Sequence, residues 1–208
     1  MTEKGSPMLD RPIADVPLAI LDVETTGLSP EEGHRICEIA IVRVVGDVEI
    51  GRFATLVNPE EHPDPSEAFA VNGLRLEDLR LAPTFAEVGP TIWRLLRGVA
   101  FVAHNAQFDL VFLDSEYRRL SVQAPRPPAV VDTYLLAKRC FLFRRNSLAA
   151  IAAALDVRVT GAHRAMADAL TARYVLTHFI GRLQALSPDR PLTLGDVLAY
   201  QTCGRIDG

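Results

Sequence analysis

Leu18-Ala19-Ile20-Leu21-Asp22-Val23-Glu24-Thr25-Thr26-Gly27 is the stretch on which the reading of this chain turns. Its apolar start predicts a strand over residues 18–23, and side chains alternate faces along a strand. Asp22 and Glu24, two apart, therefore share the face of Leu18 and Ile20 if the strand persists that far. Two acids converging at a strand end repel one another in a partly dry site and become protonated unless something cationic compensates. Taken alone, they read equally well as a solvated strand end running into the Thr25-Thr26-Gly27 turn, because acids before a glycine turn are common.

Outward from this stretch, residues 36–45 and 48–57 predict two more strands joined by a tight turn at Gly46-Asp47, a meander that opens a sheet. The Pro-rich residues 58–66 read as a loop. Thr84 with Glu87 forms a capping box for a helix running to about Arg97, and Gly98 stops it. The short apolar run 99–103 predicts a central strand, followed by a helix over 108–120 with apolar spacing at Phe108, Val111 and Phe112. Beyond a Pro-rich link lie residues 129–131, helices over 132–139 and 147–155, a last core helix over 164–181, and a short helix in the tail capped by Thr193 and Asp196. The expected organisation is a flexible lead-in at 1–16, one domain at 17–182 and a C-terminal extension at 183–208.

Asp168 carries more information than the first acids. On a helix of about 3.6 residues per turn it shares a stripe with Ala165, Ala172, Val175 and Phe179, the face that should be buried. A lone acid there demands a partner. His163 lies five residues earlier, too far round to share that face, and Gly161 suggests a loop at the helix N-terminus. A base that must reach a water benefits from such a place, although a loop histidine is also an ordinary surface residue. Asp109 follows Asn105 and Phe108 where a helix begins, a position that by itself only complements the helix dipole. Acids at one strand end and at the starts of two later helices supply together what two-metal phosphodiester cleavage requires. That chemistry uses oxygen ligands for Mg²⁺ or Mn²⁺ held about 3.5–4 Å apart.

The 208-residue chain is 49% hydrophobic, which excludes a disordered chain. No apolar stretch approaches the roughly 18 residues of a membrane span, and the N-terminal residues lack the apolar core of a secretion signal, so a cytoplasmic protein with no membrane partner is expected. Cys37, Cys140 and Cys203 are widely separated and suggest neither disulfides nor a zinc site. A net charge of −4 argues against broad neutralisation of duplex phosphates, but not against a local nucleic-acid site whose acids are offset by bound cations.

The words DVETTG (22–27), HNAQFD (104–109) and HRAMAD (163–168) stand in the order and positions of the three motifs of the DEDDh family of 3′-5′ exonucleases. Over roughly residues 17–182 the chain resembles that family, whose members include the proofreading epsilon subunit of bacterial DNA polymerase III, ribonuclease T and oligoribonuclease. The resemblance implies a ribonuclease H-like α/β fold, a mixed central sheet flanked by helices, and stepwise release of nucleoside 5′-monophosphates from the 3′ end of single-stranded nucleic acid, DNA above all. It implies two divalent cations, Mg²⁺ or Mn²⁺, held by Asp22, Glu24, Asp109 and Asp168, with His163 deprotonating the attacking water. Thr25, Asn72, Asn105 and Phe108 are the corresponding candidates for contacting the terminal nucleotide. Many epsilon-like members carry His-Gly-Ile where this chain has Asn72-Gly73-Leu74, and Asn72 donates hydrogen bonds but cannot be cationic. Arg144, Arg145 and Arg164 are further candidates for phosphate contacts.

Other classes fit less well. A phosphotransferase with an aspartyl nucleophile has a second Asp where Glu24 stands and no use for the two later words. A nucleic-acid-binding module that has lost catalysis would not keep every acid. Within the nuclease reading, a DNA polymerase subunit competes with a free-standing enzyme trimming DNA or RNA. The short tail after residue 183 favours the free-standing form, and oligomeric state is not encoded in any feature.

Overall fold

The computed structural model describes residues 7–60, 73–157 and 164–203. Five strands form one mixed sheet: β1 (Pro17–Thr25), β2 (Ile36–Val45), β3 (Val48–Leu56), β4 (Ala100–Ala103) and β5 (Val130–Asp132), in the order β3-β2-β1-β4-β5. The β1-β2-β3 meander is antiparallel, whereas β4 and β5 run parallel to β1. Gly46, with φ +56°, supplies the left-handed residue of the β2–β3 turn. The helices are α1 (Leu76–Leu81), α2 (Phe85–Leu96), α3 (Ala106–Arg119), α4 (Thr133–Leu136), α5 (Leu148–Ala154), α6 (Ala165–Leu186) and α7 (Leu194–Cys203), with a π-helical segment at Ala137–Phe141.

The alternation of β1 divides the core. Leu18 and Ile20, with Ala40, Val42 and Val102, pack on Ala172, Val175 and Phe179 of α6. Ala19, Leu21 and Val23, with Ile39, Ile41 and Phe101, face α2 and α3 through Phe85, Ile92 and Phe112. All four residues of β4 are buried, as a parallel strand covered on both faces requires. The capping box of α2 is present in full, Thr84 and Glu87 each binding the other's backbone. The stripe read on α6 holds as well: Ala165, Ala172, Val175 and Phe179 are buried.

Two differences from the sequence expectations have physical causes. Residues 132–139 do not make one helix, because Asp132 ends β5 and the helix it starts, α4, is only four residues long before it passes into the π-helical segment. The six-residue α1 was not anticipated, being too short to show periodicity.

The terminal segments pack on this frame. Ile13 and Val16 belong to the α6-side core together with Leu192, Leu194 and Val197. The N–H of Ile13 donates to the Leu192 carbonyl at 2.8 Å, and that of Gly195 to the Leu9 carbonyl at 2.8 Å. The box of Thr193 and Asp196 starts α7. From α7 the side chain of Gln201 reaches the outer edge of β5, accepting from the Asp132 N–H at 2.6 Å and donating to the Val130 carbonyl at 3.2 Å. A side-chain amide thus stands in for a sixth strand on an edge that would otherwise be open.

Candidate active site

At the end of β1, Asp22 lies opposite Ala40 and Glu24 opposite Glu38 in the antiparallel ladder, all on the α6 side of the sheet. The ladder from β1 to β4 covers only Leu18 to Ile20, so farther along that flank of β1 has no strand partner. The exposed backbone is met instead by Asp109, in the first turn of α3, whose Oδ1 accepts the Val23 N–H at 3.1 Å. Asp168 arrives from the opposite side, in the first turn of α6. Carboxylate oxygens of Asp22, Glu24 and Asp168 lie within 4.8 Å of one another, all three residues being half-buried. Of the four acids expected from sequence, three form one cluster, and the buried Asp109 stands close enough to act on Asp22 electrostatically.

Crowding of like charge in a partly dehydrated place raises these carboxyls. Burial is the largest cause for Asp22, followed by the charges of Asp109, Asp168, Glu24 and Glu38. Glu24 is pushed up to about 7, again first by burial, then by Asp168 and Glu38, with Arg164 opposing. Burial also raises Asp109, against the stabilising N–H of Val23. Converging oxygen donors that resist ionising together are the donor set a hard divalent cation such as Mg²⁺ or Mn²⁺ takes, and such a cation relieves their repulsion. The residues present therefore fit that group.

The supporting contacts include several residues not anticipated from sequence. Glu38, 5% exposed, accepts a fork from Arg164, whose Nε reaches Oε2 at 3.0 Å and whose Nη2 reaches Oε1 at 3.0 Å. Its Oε2 also accepts the Ala165 N–H at 3.3 Å. The signal for Glu38 was an acid inside the apolar run of residues 36–42, where a charge needs a partner. Three residues earlier, Arg35 forms a second fork with Glu116 of α3, 2.8 Å at each nitrogen, and donates to the Pro59 carbonyl. Asp132 accepts the N–H groups of Asn105 and Ala106 at 3.0 and 3.1 Å, and so caps the start of α3 from the neighbouring strand. The His104 ring is held between Thr133 Oγ1 and the Asn146 carbonyl, 2.9 Å from each, and burial lowers its pKa. At Gly27 a Cβ would stand 2.1 Å from the His34 ring, so any other residue in the turn after the acids would have to displace that ring.

The expected substrate contacts land unevenly. Thr25 is buried and its hydroxyl donates to the Gly27 carbonyl at 2.6 Å. Asn105 is exposed, with φ 70°, at the N-cap of α3. The Phe108 ring lies 4.9 Å from that of Phe112, partly covered by the α3-side core. Arg164 is engaged with Glu38 rather than standing free for a phosphate, while Arg144 and Arg145 are exposed. His163 and Asn72 fall outside the described residues.

The sheet thus brings carboxylates from β1, α3 and α6 to the end of its first strand, on a ribonuclease H-like fold shared with solved DEDDh exonucleases. The sequence matches the Exonuclease (RNase_T) family over residues 19–176, and the chain belongs to that family. It is 38% identical over 146 residues to the DNA polymerase III subunit epsilon of Escherichia coli (strain K12), covering 66% of this chain and 60% of that protein. The epsilon subunit of Rickettsia prowazekii (strain Madrid E) is 33% identical over 172 residues, 80% of this chain and 75% of that one. Among solved structures, the nuclease domain of 3′hExo, a DEDDh family member bound to rAMP, has the same fold, with a TM-score of 0.66 and 17% identity over 81% of this chain and 93% of that one. Among the described residues, no helix is long and apolar enough to cross a membrane.

Proposed function

We propose that the protein is a two-metal-ion exonuclease, cytoplasmic, that removes nucleoside 5′-monophosphates one at a time from the 3′ end of single-stranded DNA. The observation that carries this reading is the gathering of Asp22, Glu24 and Asp168 within 4.8 Å, with Asp109 beside them. In this reading the four carboxylates would hold two divalent cations, and the chemistry such cations would supply there is activation of a water and charge stabilisation at the departing 3′ oxygen. His163 takes the proton of the attacking water. The Thr25–Gly27 turn presents its backbone to the terminal sugar, Phe108 offers a ring face to a base, and Asn105 and Asn72 supply amide contacts.

A second reading makes the chain a proofreading partner of a DNA polymerase. It is favoured by the epsilon subunits among its relatives, although the chain spans only 60% of the Escherichia coli protein. The test is the purified chain with matched 5′-labelled single-stranded DNA and RNA oligonucleotides, in Mg²⁺, Mn²⁺ or EDTA, with Asp22→Ala as control. A metal-dependent ladder shrinking from the 3′ end, faster on DNA and lost in the control, is expected. Faster shortening of RNA makes the enzyme a ribonuclease. A folded wild type that cuts neither strand overturns the free-standing exonuclease and leaves the polymerase-bound form, tested by adding a replicative polymerase.

A further inference from the structure

Helix α6 carries Asp168 in its first turn, and its N-cap residue, Arg164, has no side-chain acceptor to offer the first N–H groups. An acceptor comes from the sheet. Glu38, on β2, takes the Ala165 N–H and both prongs of the Arg164 guanidinium, joining segments 126 residues apart. A carboxylate placed against a helix N-terminus also complements the helix dipole. Within the ladder Glu38 stands directly opposite Glu24, a like-charged cross-strand pair that is unfavourable unless a cation intervenes. Arg164 is that cation, and it acts on Glu24 as well as Glu38.

We propose that Glu38 and Arg164 form a latch that positions the start of α6, and that Arg164 is a positioning residue rather than a phosphate contact. The latch holds residues 164 and 165, between the general base assigned to His163 by covalent neighbourhood and the metal ligand Asp168 one turn onward. The inference rests on the proposed exonuclease site. Because Arg164 is about half exposed, with its side chain at 51%, its replacement spares the core.

The test compares Glu38→Gln, Arg164→Ala, Arg164→Lys and the double variant Glu38→Gln/Arg164→Ala, all in the full chain. Turnover of a single-stranded oligonucleotide is measured at two salt concentrations, and Mn²⁺ binding without substrate by calorimetry. The latch predicts that each single variant loses roughly 10–100-fold in kcat, the usual cost of removing a partner that orients a ligand, while KM and its salt dependence are unchanged. It predicts weaker Mn²⁺ binding in the same variants. Lysine fails to rescue, since it keeps the charge but not the fork, and the double variant is no worse than either single one because the two residues act as a unit. A raised KM with kcat intact, a flatter salt dependence and rescue by lysine overturn the latch in favour of a phosphate contact. Additive losses, or variants indistinguishable from wild type, also overturn it. An inactive wild type whose Mn²⁺ isotherm still responds to these substitutions defeats the exonuclease reading and leaves the latch standing.

Discussion

The backbone N–H of Val23 donates to the carboxylate of Asp109 at 3.1 Å, across 86 residues of sequence. One acid therefore does two jobs, completing the end of β1 and facing Asp22 with its charge. The two roles separate by substitution. Asp109→Asn keeps an oxygen for Val23 and loses the charge, so metal-dependent turnover disappears while the denaturation midpoint stays near wild type. Asp109→Ala also leaves a buried N–H unsatisfied, with an added stability loss of about 1–3 kcal/mol. Equal stability of the two variants in urea titrations sinks the structural half of this argument.

In the proposed mechanism His163, which precedes the clamped residue Arg164 in sequence, acts as base rather than ligand. His163→Ala is expected to slow turnover by roughly 10²- to 10⁴-fold, the span typical of a general base. Mn²⁺ affinity, read by calorimetry, is expected to survive. Loss of metal binding instead makes His163 a ligand.

Glu24 links the site to stability. Its folded pKa of about 7 lies above the ordinary 4.5, so between these values the metal-free folded protein binds more protons than the unfolded chain. Stability then falls as pH rises from 4.5 through 7, the reverse of a salt-bridged carboxylate. Melting in EDTA should show this decline, and added Mn²⁺ should raise Tm more at pH 8 than at pH 5. Glu24→Gln, which removes the repelling charge, is expected to melt higher than wild type in EDTA at pH 8 while losing activity. A lower Tm for that variant contradicts the assigned cause.

Arg35 and Glu116 make a desolvated pair, 7% and 2% exposed, that ties the start of β2 to α3. Glu116→Ala takes the buried acceptor from the Arg35 Nε and from the Ile36 N–H together, leaving the guanidinium only the Pro59 carbonyl and the half-exposed Glu60. The expected loss is about 1–3 kcal/mol, seen as a lower urea midpoint with unchanged slope. A loss below about 1 kcal/mol, the value of an exposed pair, means that water enters the site freely.

How far the sequence revealed all this depends on which interactions are local. The strand ending in Asp22 and Glu24 and the buried stripe of α6 were legible, because period and burial are written in adjacent residues. So were the boxes at Thr84 and Thr193, each closed within one turn. What escaped reading was long-range. That Asp109 would meet Val23 depends on β4 stopping short of it, and that Arg164 would turn inward depends on Glu38, 126 residues away. Arg164 looked like a phosphate contact because a basic residue beside a catalytic word carries no local sign of its partner. Sequence alone makes Asp132 the first residue of a helix, and it does cap one, but its carboxylate also caps α3 from the next strand.

Asp132 is also where the C-terminal helix reaches the site. Gln201 holds the Asp132 N–H at 2.6 Å and the Val130 carbonyl at 3.2 Å, while the Asp132 carboxylate holds the first N–H groups of α3, the helix bearing Asp109. Removing the amide by Gln201→Ala leaves one donor and one acceptor on β5 without these partners, so a stability loss of about 1–3 kcal/mol is expected. Faster hydrogen exchange at the Asp132 amide should accompany it, since that N–H would no longer be held by the side chain. If α7 serves the site through this path, kcat falls in the variant while the denaturation slope is unchanged. A protected Asp132 amide and wild-type kcat in Gln201→Ala show instead that the edge of β5 finds another partner and that α7 contributes only through Leu194 and Val197 in the core.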